Sequence, residues 1–149
     1  MKRFLRIICS CLLLCTLASR ANEAKAQSMV CEISWNVGIT YQGLLVTYPD
    51  NSGLFVVKYY NPYIQSVVWV NQSVLCSSQY DMYGGCTTII NCYNPVSYPN
   101  VAYSADNFII YPDGSMYAQD DAGTWSTAIA AYVVPPQNWS SKFIEYGLQ

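Results

Sequence analysis

The 149-residue sequence contains no histidine. Without imidazole, neither a Ser-His-Asp triad nor a Cys-His pair can form. The sequence also shows no glycine-rich phosphate loop and no dinucleotide fingerprint. A Ser-Lys dyad would have to use the distant Lys58, or Lys142, which directly follows Ser140 and Ser141, although neighbours in a strand point to opposite faces. These absences favour a protein that is not an enzyme, and they predict no cofactor.

Basic residues are scarce except at the N-terminus, where Lys2, Arg3 and Arg6 precede an apolar run over residues 7–17. This pattern is typical of a signal peptide. The run is shorter than the ~20 apolar residues that a membrane-spanning helix needs. A small-residue motif that ends at Ala26 predicts cleavage after that residue.

Cleavage there divides the chain into a signal peptide, residues 1–26, and a single secreted β-domain, residues 27–149. The predicted destination is the periplasm or the cell exterior, and no membrane span is left in the mature chain. The alternative is a lipoprotein acylated at Cys11 or Cys15. It is disfavoured because the bulky Leu14 precedes Cys15 and because Cys11 lies too early for a full apolar run.

Residues 27–149 retain only two bases, Lys58 and Lys142, against eight carboxylates, which gives a formal net charge of −6. Nucleic-acid binding depends on neutralising phosphates with lysine and arginine. Two lysines cannot form a basic patch of useful size. The sequence therefore predicts no nucleic-acid partner.

Four cysteines remain after the signal peptide: Cys31, Cys76, Cys86 and Cys92. An even number in an exported chain predicts disulfides, with three connectivities for four cysteines. A strand over residues 87–91 would hold Cys86 and Cys92 roughly 20 Å apart, too far for a bond. We favour Cys76 with Cys86 and Cys31 with Cys92. Zinc binding normally needs paired C-x-x-C spacing or histidines, so no metal is predicted.

Residues 43–60 contain two apolar runs around a Pro-Asp-Asn-Ser-Gly sequence at 49–53. Side chains alternate with a period of two, as Leu44 and Val46 do before the turn. Proline presets φ for a turn, Asp and Asn can hydrogen-bond their own backbone, and glycine accepts a positive φ. This segment therefore predicts a β-hairpin.

The rest of the domain alternates short apolar segments with turn signals and shows no long helical periodicity. Together with the hairpin, these segments predict an all-β, antiparallel β-sandwich or small barrel of about eight short strands, stapled by disulfides. We prefer the sandwich, because Leu45 is apolar on the face opposite Leu44 and Val46, which suits a strand covered on both sides. The further strands are predicted at residues 29–35, 66–74, 87–93, 107–111, 116–119 and 125–134.

The C-terminal tail predicts a short helix after the two prolines at 135–136. Asn138 suits the N-cap position and Gly147 the C′ position. A helix between them would bury aromatic side chains on one face. These side chains are Trp139, Phe143 and Tyr146.

The carboxylates offer an alternative function. A glycosidase needs two carboxyl groups about 5–9.5 Å apart and one of them with a raised pKa in a cleft. Several aspartates stand in turn sequences, where aspartate is expected for structural reasons. Asp113 with Asp120 and Asp121 could bind calcium, but the spaced D-x-D-x-D pattern is missing. The candidate acids are Glu32, Asp50, Asp81, Asp106, Asp113, Asp120, Asp121 and Glu145.

Aromatic residues are abundant, with fourteen tyrosines and four tryptophans, all beyond residue 26. Tyrosine and tryptophan combine a flat apolar face with a hydrogen-bonding edge, which suits neutral polar ligands such as sugars. The predicted loop at 94–106 carries such residues, and loops on a rigid scaffold often bind ligands. We predict a ligand site at Tyr93, Tyr98, Asn100 and Tyr103. The alternative interpretation is that these tyrosines pack over the domain.

Three hypotheses follow from the sequence. The first is a secreted binding module for a glycan or other cell-surface polymer. The second is a structural or adhesion protein that acts through protein contacts, which would show an extended apolar surface or a strand edge that pairs with another chain. The third is a small hydrolase that uses two carboxylates.

Overall fold

The computed structural model describes residues 29–119, 125–126 and 129–148. The predicted signal peptide with its cleavage site, the lipoprotein cysteines and the predicted turn at 120–124 lie outside the described residues. The described elements are β1 (Met29–Asn36), β2 (Thr40–Thr47), β3 (Ser52–Asn61), β4 (Ser66–Tyr80), β5 (Cys86–Tyr98), β6 (Asn107–Ile110), β7 (Met116–Gln119), β8 (Trp125–Ser126), β9 (Ile129–Val133), a 3₁₀ turn (Pro136–Asn138) and α1 (Trp139–Glu145).

All nine described strands belong to one antiparallel sheet with the order β8-β7-β6-β5-β4-β3-β2-β1-β9. Consecutive strands are neighbours, except that β9 returns to pair with β1. The sheet curls until β7 approaches β9, so that it nearly closes into a barrel. The preferred sandwich is therefore wrong and the small-barrel alternative is correct. Twist accumulates over nine consecutive antiparallel strands, so one sheet covers its own inner face.

The predicted hairpin is confirmed as β2 and β3, in which Leu45 lies opposite Phe55. The Asp50 carboxylate accepts the Ser52 N–H at 3.1 Å, and Asn51 adopts a φ of 63°. Gly43 is required within β2 because a Cβ there would lie 2.4 Å from the Phe55 ring. The strand glycine thus makes room for a core phenylalanine.

One hydrophobic core fills the inside of the curled sheet. Its side chains come from seven strands, β1 to β7, mostly at alternate positions, and include several aromatic rings. Phe55 packs edge-on against Phe108 with ring centroids 5.4 Å apart. The buried members are Cys31, Ile33, Trp35, Leu45, Phe55, Val57, Tyr59, Val68, Val70, Val74, Ile90, Cys92, Phe108 and Met116.

A second core lies on the outer face, where α1 packs across β1, β2 and β3. The predicted helix is confirmed: Tyr146 is 2% exposed, and Trp139 and Phe143 pack against the same cluster. Gly147 has a φ of 70° at the predicted C′ position. Leu44 and Val46 point outward beneath the helix, which explains why β2 is apolar on both faces.

The long strands β4 and β5 differ most from expectation. β4 continues to Tyr80 and β5 to Tyr98, so the loops predicted at 75–86 and 94–106 are much shorter. Hydrogen bonding between the two strands extends both of them into polar segments. These segments lack the alternation of apolar residues from which a strand could be predicted. The strand predicted at 125–134 is two strands that pair with different neighbours, β8 with β7 and β9 with β1.

The four described cysteines are free thiols, so the structure does not support the predicted disulfide staples. The strand at 86–98 keeps Cys86 apart from Cys92, as expected. The favoured Cys76 pairing fails because Cys76 lies opposite Ile90, whereas Cys86 lies opposite Tyr80, an offset of roughly 13 Å along the strands. Cys31 is buried on β1 between β2 and β9 and forms no bond to Cys92 on β5.

No helix in residues 29–119, 125–126 and 129–148 is long and apolar enough to cross a membrane.

Candidate binding surface

Two of the predicted site residues, Tyr93 and Tyr98, lie on the outer face of β5. Tyr98 is opposite the outward-facing Trp69 of β4, and Tyr93 is opposite Ser73. Tyr98 is 81% exposed and Tyr93 is 46% exposed. The two rings therefore project from a paired strand and not from a mobile loop.

A β-bulge places both tyrosines on the same face. Five residues separate their positions, which in a regular strand would send the side chains to opposite faces. The register shifts between Asn71 and Ser73 of β4, where Asn94 adopts a φ of 52° and Pro95 has no N–H to donate. The extra residue restores the outward direction for Tyr98.

The other two predicted residues are placed differently. Asn100 is exposed just after β5, beyond a cis Tyr98–Pro99 bond. Tyr103 turns inward and packs against the inner core. For Tyr103 the packing interpretation therefore holds, and this residue does not lie at the surface that carries Tyr93 and Tyr98.

Tyr103 belongs to a buried polar network. Its hydroxyl donates to the Asp106 carboxylate at 2.9 Å, and the Gln72 amide donates to the same carboxylate at 2.6 Å. In return, the Asp106 N–H donates to the Gln72 carbonyl at 2.9 Å, although Gln72 is only 1% exposed. Burial, followed by the charge of Asp106, raises the pKa of Tyr103.

The aromatic rings beside Tyr103 are in mutual contact. Tyr41 and Tyr59 have centroids 4.8 Å apart, and Tyr59 and Tyr103 have centroids 5.8 Å apart. Trp35 stacks on Tyr41 at 5.2 Å. The rings pack against one another in this part of the barrel, so the cluster stabilises the fold.

We define the outer tyrosine surface as Tyr60, Val67, Tyr93, Val96 and Tyr98. All five side chains are 46% to 81% exposed on the outer face of β3, β4 and β5. Tyr60 is paired with Val67. Sequence reasoning missed Tyr60, Val67 and Val96, because the register that places them beside Tyr98 is set by strand pairing. Their alternation along the strands is the signal that could have found them.

Amide side chains lie among these rings. Asn71, which is exposed, is paired with Val96 in the middle of the surface. Asn91 and Asn94 are exposed along the same strand as Tyr93. A surface of this kind offers both aromatic rings and hydrogen-bonding amides on paired strands.

The helix α1 borders the outer tyrosine surface. Trp69 meets the Tyr146 ring edge-on at 6.3 Å, and the Lys58 ammonium lies 4.5 Å from the centroid of the same ring. Lys58 also pairs with Glu145 at 2.9 Å. These contacts hold the helix at one edge of the outer tyrosine surface.

Two carboxylates that are distant in sequence meet under α1. Lys142 binds Glu32 at 3.0 Å and Glu145 at 2.8 Å, and the Tyr146 hydroxyl donates to Glu32 at 3.0 Å. Hydrogen bonds from Lys142 and Lys58 lower the pKa of Glu145. A general acid needs the opposite shift, so this pair supports the helix and not the hydrolase hypothesis.

The remaining acids near turns have structural partners. The Asp81 carboxylate accepts two backbone N–H groups, and Asp113 accepts the Ser115 N–H and hydroxyl. In the described ranges no cluster of three or more potential metal ligands exists. The suggested calcium site includes Asp120 and Asp121, which lie outside the described residues.

Comparison of this chain with protein-family models, curated proteins and solved structures finds no match.

Proposed function

We propose that this protein is an exported binding module whose outer tyrosine surface recognises a neutral polar polymer, such as a glycan. The observation that carries the proposal is Tyr98, which is 81% exposed on a strand that is hydrogen-bonded on its β4 side. Rigid tyrosine rings present stacking area at low entropic cost. Asn71 and Asn100 supply amide donors and acceptors for hydroxyl groups.

The absence of charge on the surface argues for a neutral ligand. Its five residues are tyrosines and valines, with no aspartate, glutamate, lysine or arginine among them. The two lysines beyond residue 26 are both engaged with α1, and a net charge of −6 over residues 27–149 repels acidic polymers.

A glycan array and a polysaccharide pull-down of the exported protein test this proposal. We expect binding that Tyr98→Ala weakens about ten-fold, a loss of roughly 1.4 kcal/mol, with a similar loss for Tyr93→Ala. Tyr132→Ala is the matched control, because this tyrosine is also exposed but lies on β9. Tyr103→Ala is not a suitable test, since it removes a buried core ring.

The second candidate function is adhesion through protein contacts at the same surface. It is favoured by Val67 and Val96, which expose aliphatic side chains between the tyrosines. Absence of binding to every glycan by the folded protein would contradict the first proposal. If the protein then binds another protein chain and Val96→Ser abolishes that binding, the result would support the adhesion function.

A further inference from the structure

The turn between β4 and β5 is held in one conformation by Asp81. Its carboxylate accepts the N–H groups of Tyr83 and Gly85, each at 2.8 Å. The backbone N–H of Asp81 donates to the Gly85 carbonyl at 2.9 Å, and Gly84 supplies the positive φ of 82°. The turn is therefore ordered before any ligand binds.

This ordered turn displays apolar side chains to solvent. Tyr80, Met82 and Tyr83 are 74%, 87% and 90% exposed. Because the backbone of this turn is already ordered, binding there costs little backbone conformational entropy. Large exposed apolar groups gathered in one place mark interaction sites.

The β6–β7 turn adjoins the first turn. Pro112 is close to Gly85, since a Cβ on that glycine would lie 3.0 Å from the Pro112 ring. Tyr111 and Tyr117 meet edge-on with centroids 5.5 Å apart. Together with Asp113 and Ser115 they line a shallow open cleft. We define the double-turn surface as Tyr80, Met82, Tyr83, Tyr111, Asp113 and Tyr117.

The double-turn surface is acidic and has no base nearby. Hydrogen bonds from the Ser115 hydroxyl and N–H lower the pKa of Asp113, which keeps this exposed carboxylate ionised at mildly acidic pH. Beyond residue 26 the sequence has no arginine and only Lys58 and Lys142, and both contact α1. Trp69, which also contacts α1, is eleven residues before Tyr80 along β4, a distance of roughly 35 Å.

We propose that the double-turn surface binds a cationic segment of a partner protein, one that presents arginine or lysine side chains. A guanidinium or ammonium group is attracted to tyrosine ring faces and pairs with the Asp113 carboxylate. Met82 and Tyr83 supply apolar contacts to the stems of these long side chains. The net charge of −6 over residues 27–149 attracts such a partner from a distance.

This inference is independent of the outer tyrosine surface, because the two surfaces share no residue. The probe is a fluorescent ten-residue peptide of alternating arginine and glycine, compared with the same peptide carrying glutamate in place of arginine. Fluorescence anisotropy with the full exported protein measures affinity at 50 and 300 mM NaCl. We expect the arginine peptide to bind at least ten-fold more tightly than the glutamate peptide and to weaken with salt.

Single substitutions distinguish binding at the double-turn surface from non-specific attraction to the net negative charge of the protein. Tyr83→Ala and Asp113→Asn should each weaken arginine-peptide binding at least five-fold. Asp50→Asn is the matched control, because Asp50 follows the same Tyr-Pro sequence and accepts the equivalent N–H in the β2–β3 turn. It removes the same charge elsewhere and should leave the affinity within two-fold.

Equal losses for Asp50→Asn and Asp113→Asn would overturn the proposal in favour of non-specific attraction. No binding of the arginine peptide at millimolar concentration would also overturn it. Binding of vesicles of zwitterionic lipid that Tyr83→Ala abolishes, without peptide binding, would assign the surface to a membrane instead. Tyr98→Ala should change none of these affinities, whatever its effect on glycans.

Discussion

At the scale of single residues, the Asp106 carboxylate is a charged group at the edge of the inner core, where most proteins place apolar side chains. Gln72 and Tyr103 surround the Asp106 carboxylate with donors, so its lone pairs are satisfied within the protein. Asp106 is partly buried, and a carboxylate withdrawn from water without such partners would be destabilising. Gln72 of β4 therefore forms one structural unit with Tyr103 and Asp106, from which it is distant in sequence.

We expect Tyr103→Phe to lower the free energy of unfolding by about 1.5 kcal/mol at neutral pH, because a hydrogen bond to a charged group is lost. Its pH dependence should also change. Burial raises the pKa of Tyr103, so above pH ~10 the unfolded chain loses a proton that the folded chain keeps, and stability falls. Urea unfolding between pH 7 and 11 should show a shallower decline for the variant.

Tyr98→Phe is the control for this experiment, since it removes a hydroxyl from a ring that projects into solvent. It should leave both the neutral-pH stability and the alkaline decline unchanged. An alkaline decline as steep in Tyr103→Phe as in the natural protein would contradict the expected role of the buried hydroxyl.

At the scale of elements, α1 is a short helix whose attachment comes from its surroundings. Seven residues are too few for a stable isolated helix, so packing of Tyr146 on the outer core and the lysine contacts must hold it. Lys58 and Lys142 both bind Glu145. This glutamate is therefore the common partner of both lysines.

Glu145→Gln should weaken α1 attachment selectively. The pKa of Glu145 is lowered by its lysines, so its contribution is present above the unfolded value of about 4.3 and lost as pH falls through the folded value. We expect a loss of about 0.5 kcal/mol at pH 7, as for partly exposed ion pairs. Amide hydrogen exchange of α1 at pH 7 and pH 3 measures it.

The difference between the natural protein and Glu145→Gln should shrink as the pH falls from 7 to 3, because the charge of Glu145 is lost as the pH falls through its lowered pKa. Asp50→Asn, which changes a carboxylate in a distant turn, should leave exchange in α1 unaltered. Faster exchange in Glu145→Gln by the same factor at both pH values would show that packing, and not charge, explains the effect.

The elements also show how far sequence patterns reach. The β2–β3 hairpin was predictable because Pro49, Asp50 and Asn51 specify a turn by local chemistry, although the positive φ is at Asn51 and not at Gly53. The end of β5 was not, because pairing with β4 extends the strand through Asn94 and Pro95, residues that normally signal a loop. Tyr93 and Tyr98 could be chosen from composition, but their shared face depends on the bulge, which only the register reveals.

At the scale of the whole molecule, all-β architecture followed from the sequence and the layer arrangement did not. Apolar residues on both faces of β2 are compatible with a sandwich as well as with the observed curled sheet covered by a helix. The structure covers the inner face by curling the sheet and the outer face by α1, and both coverings are made by residues far from Leu44 and Leu45. The strand order and the position of a C-terminal helix on the sheet are non-local properties that periodicity does not report.

The free thiols make a prediction for the whole molecule. Alkylation under native conditions, followed by mass spectrometry, should show that Cys31 and Cys92 react last, because both are buried and burial raises their pKa values. After denaturation all four cysteines should be alkylated without prior reduction. Reductant should leave the midpoint of urea unfolding unchanged.

Cys86→Ser is the useful variant, since this cysteine lies at the edge of the β4–β5 turn and is only partly buried. It should unfold at the same urea concentration as the natural protein. A midpoint that falls on reduction in the natural protein but not in Cys86→Ser would instead demonstrate a disulfide that involves Cys86.

The pairing of β9 with β1 also bears on how the chain behaves during synthesis. Every other described ladder joins consecutive strands and can form as the chain emerges. The edge of β1 that faces away from β2 has no partner until β9, the last strand, has been made. Until then β1 presents an open edge of unpaired N–H and C=O groups, to which another chain can add. Products truncated before Ile129 should therefore aggregate, and the final strand protects the protein from self-association.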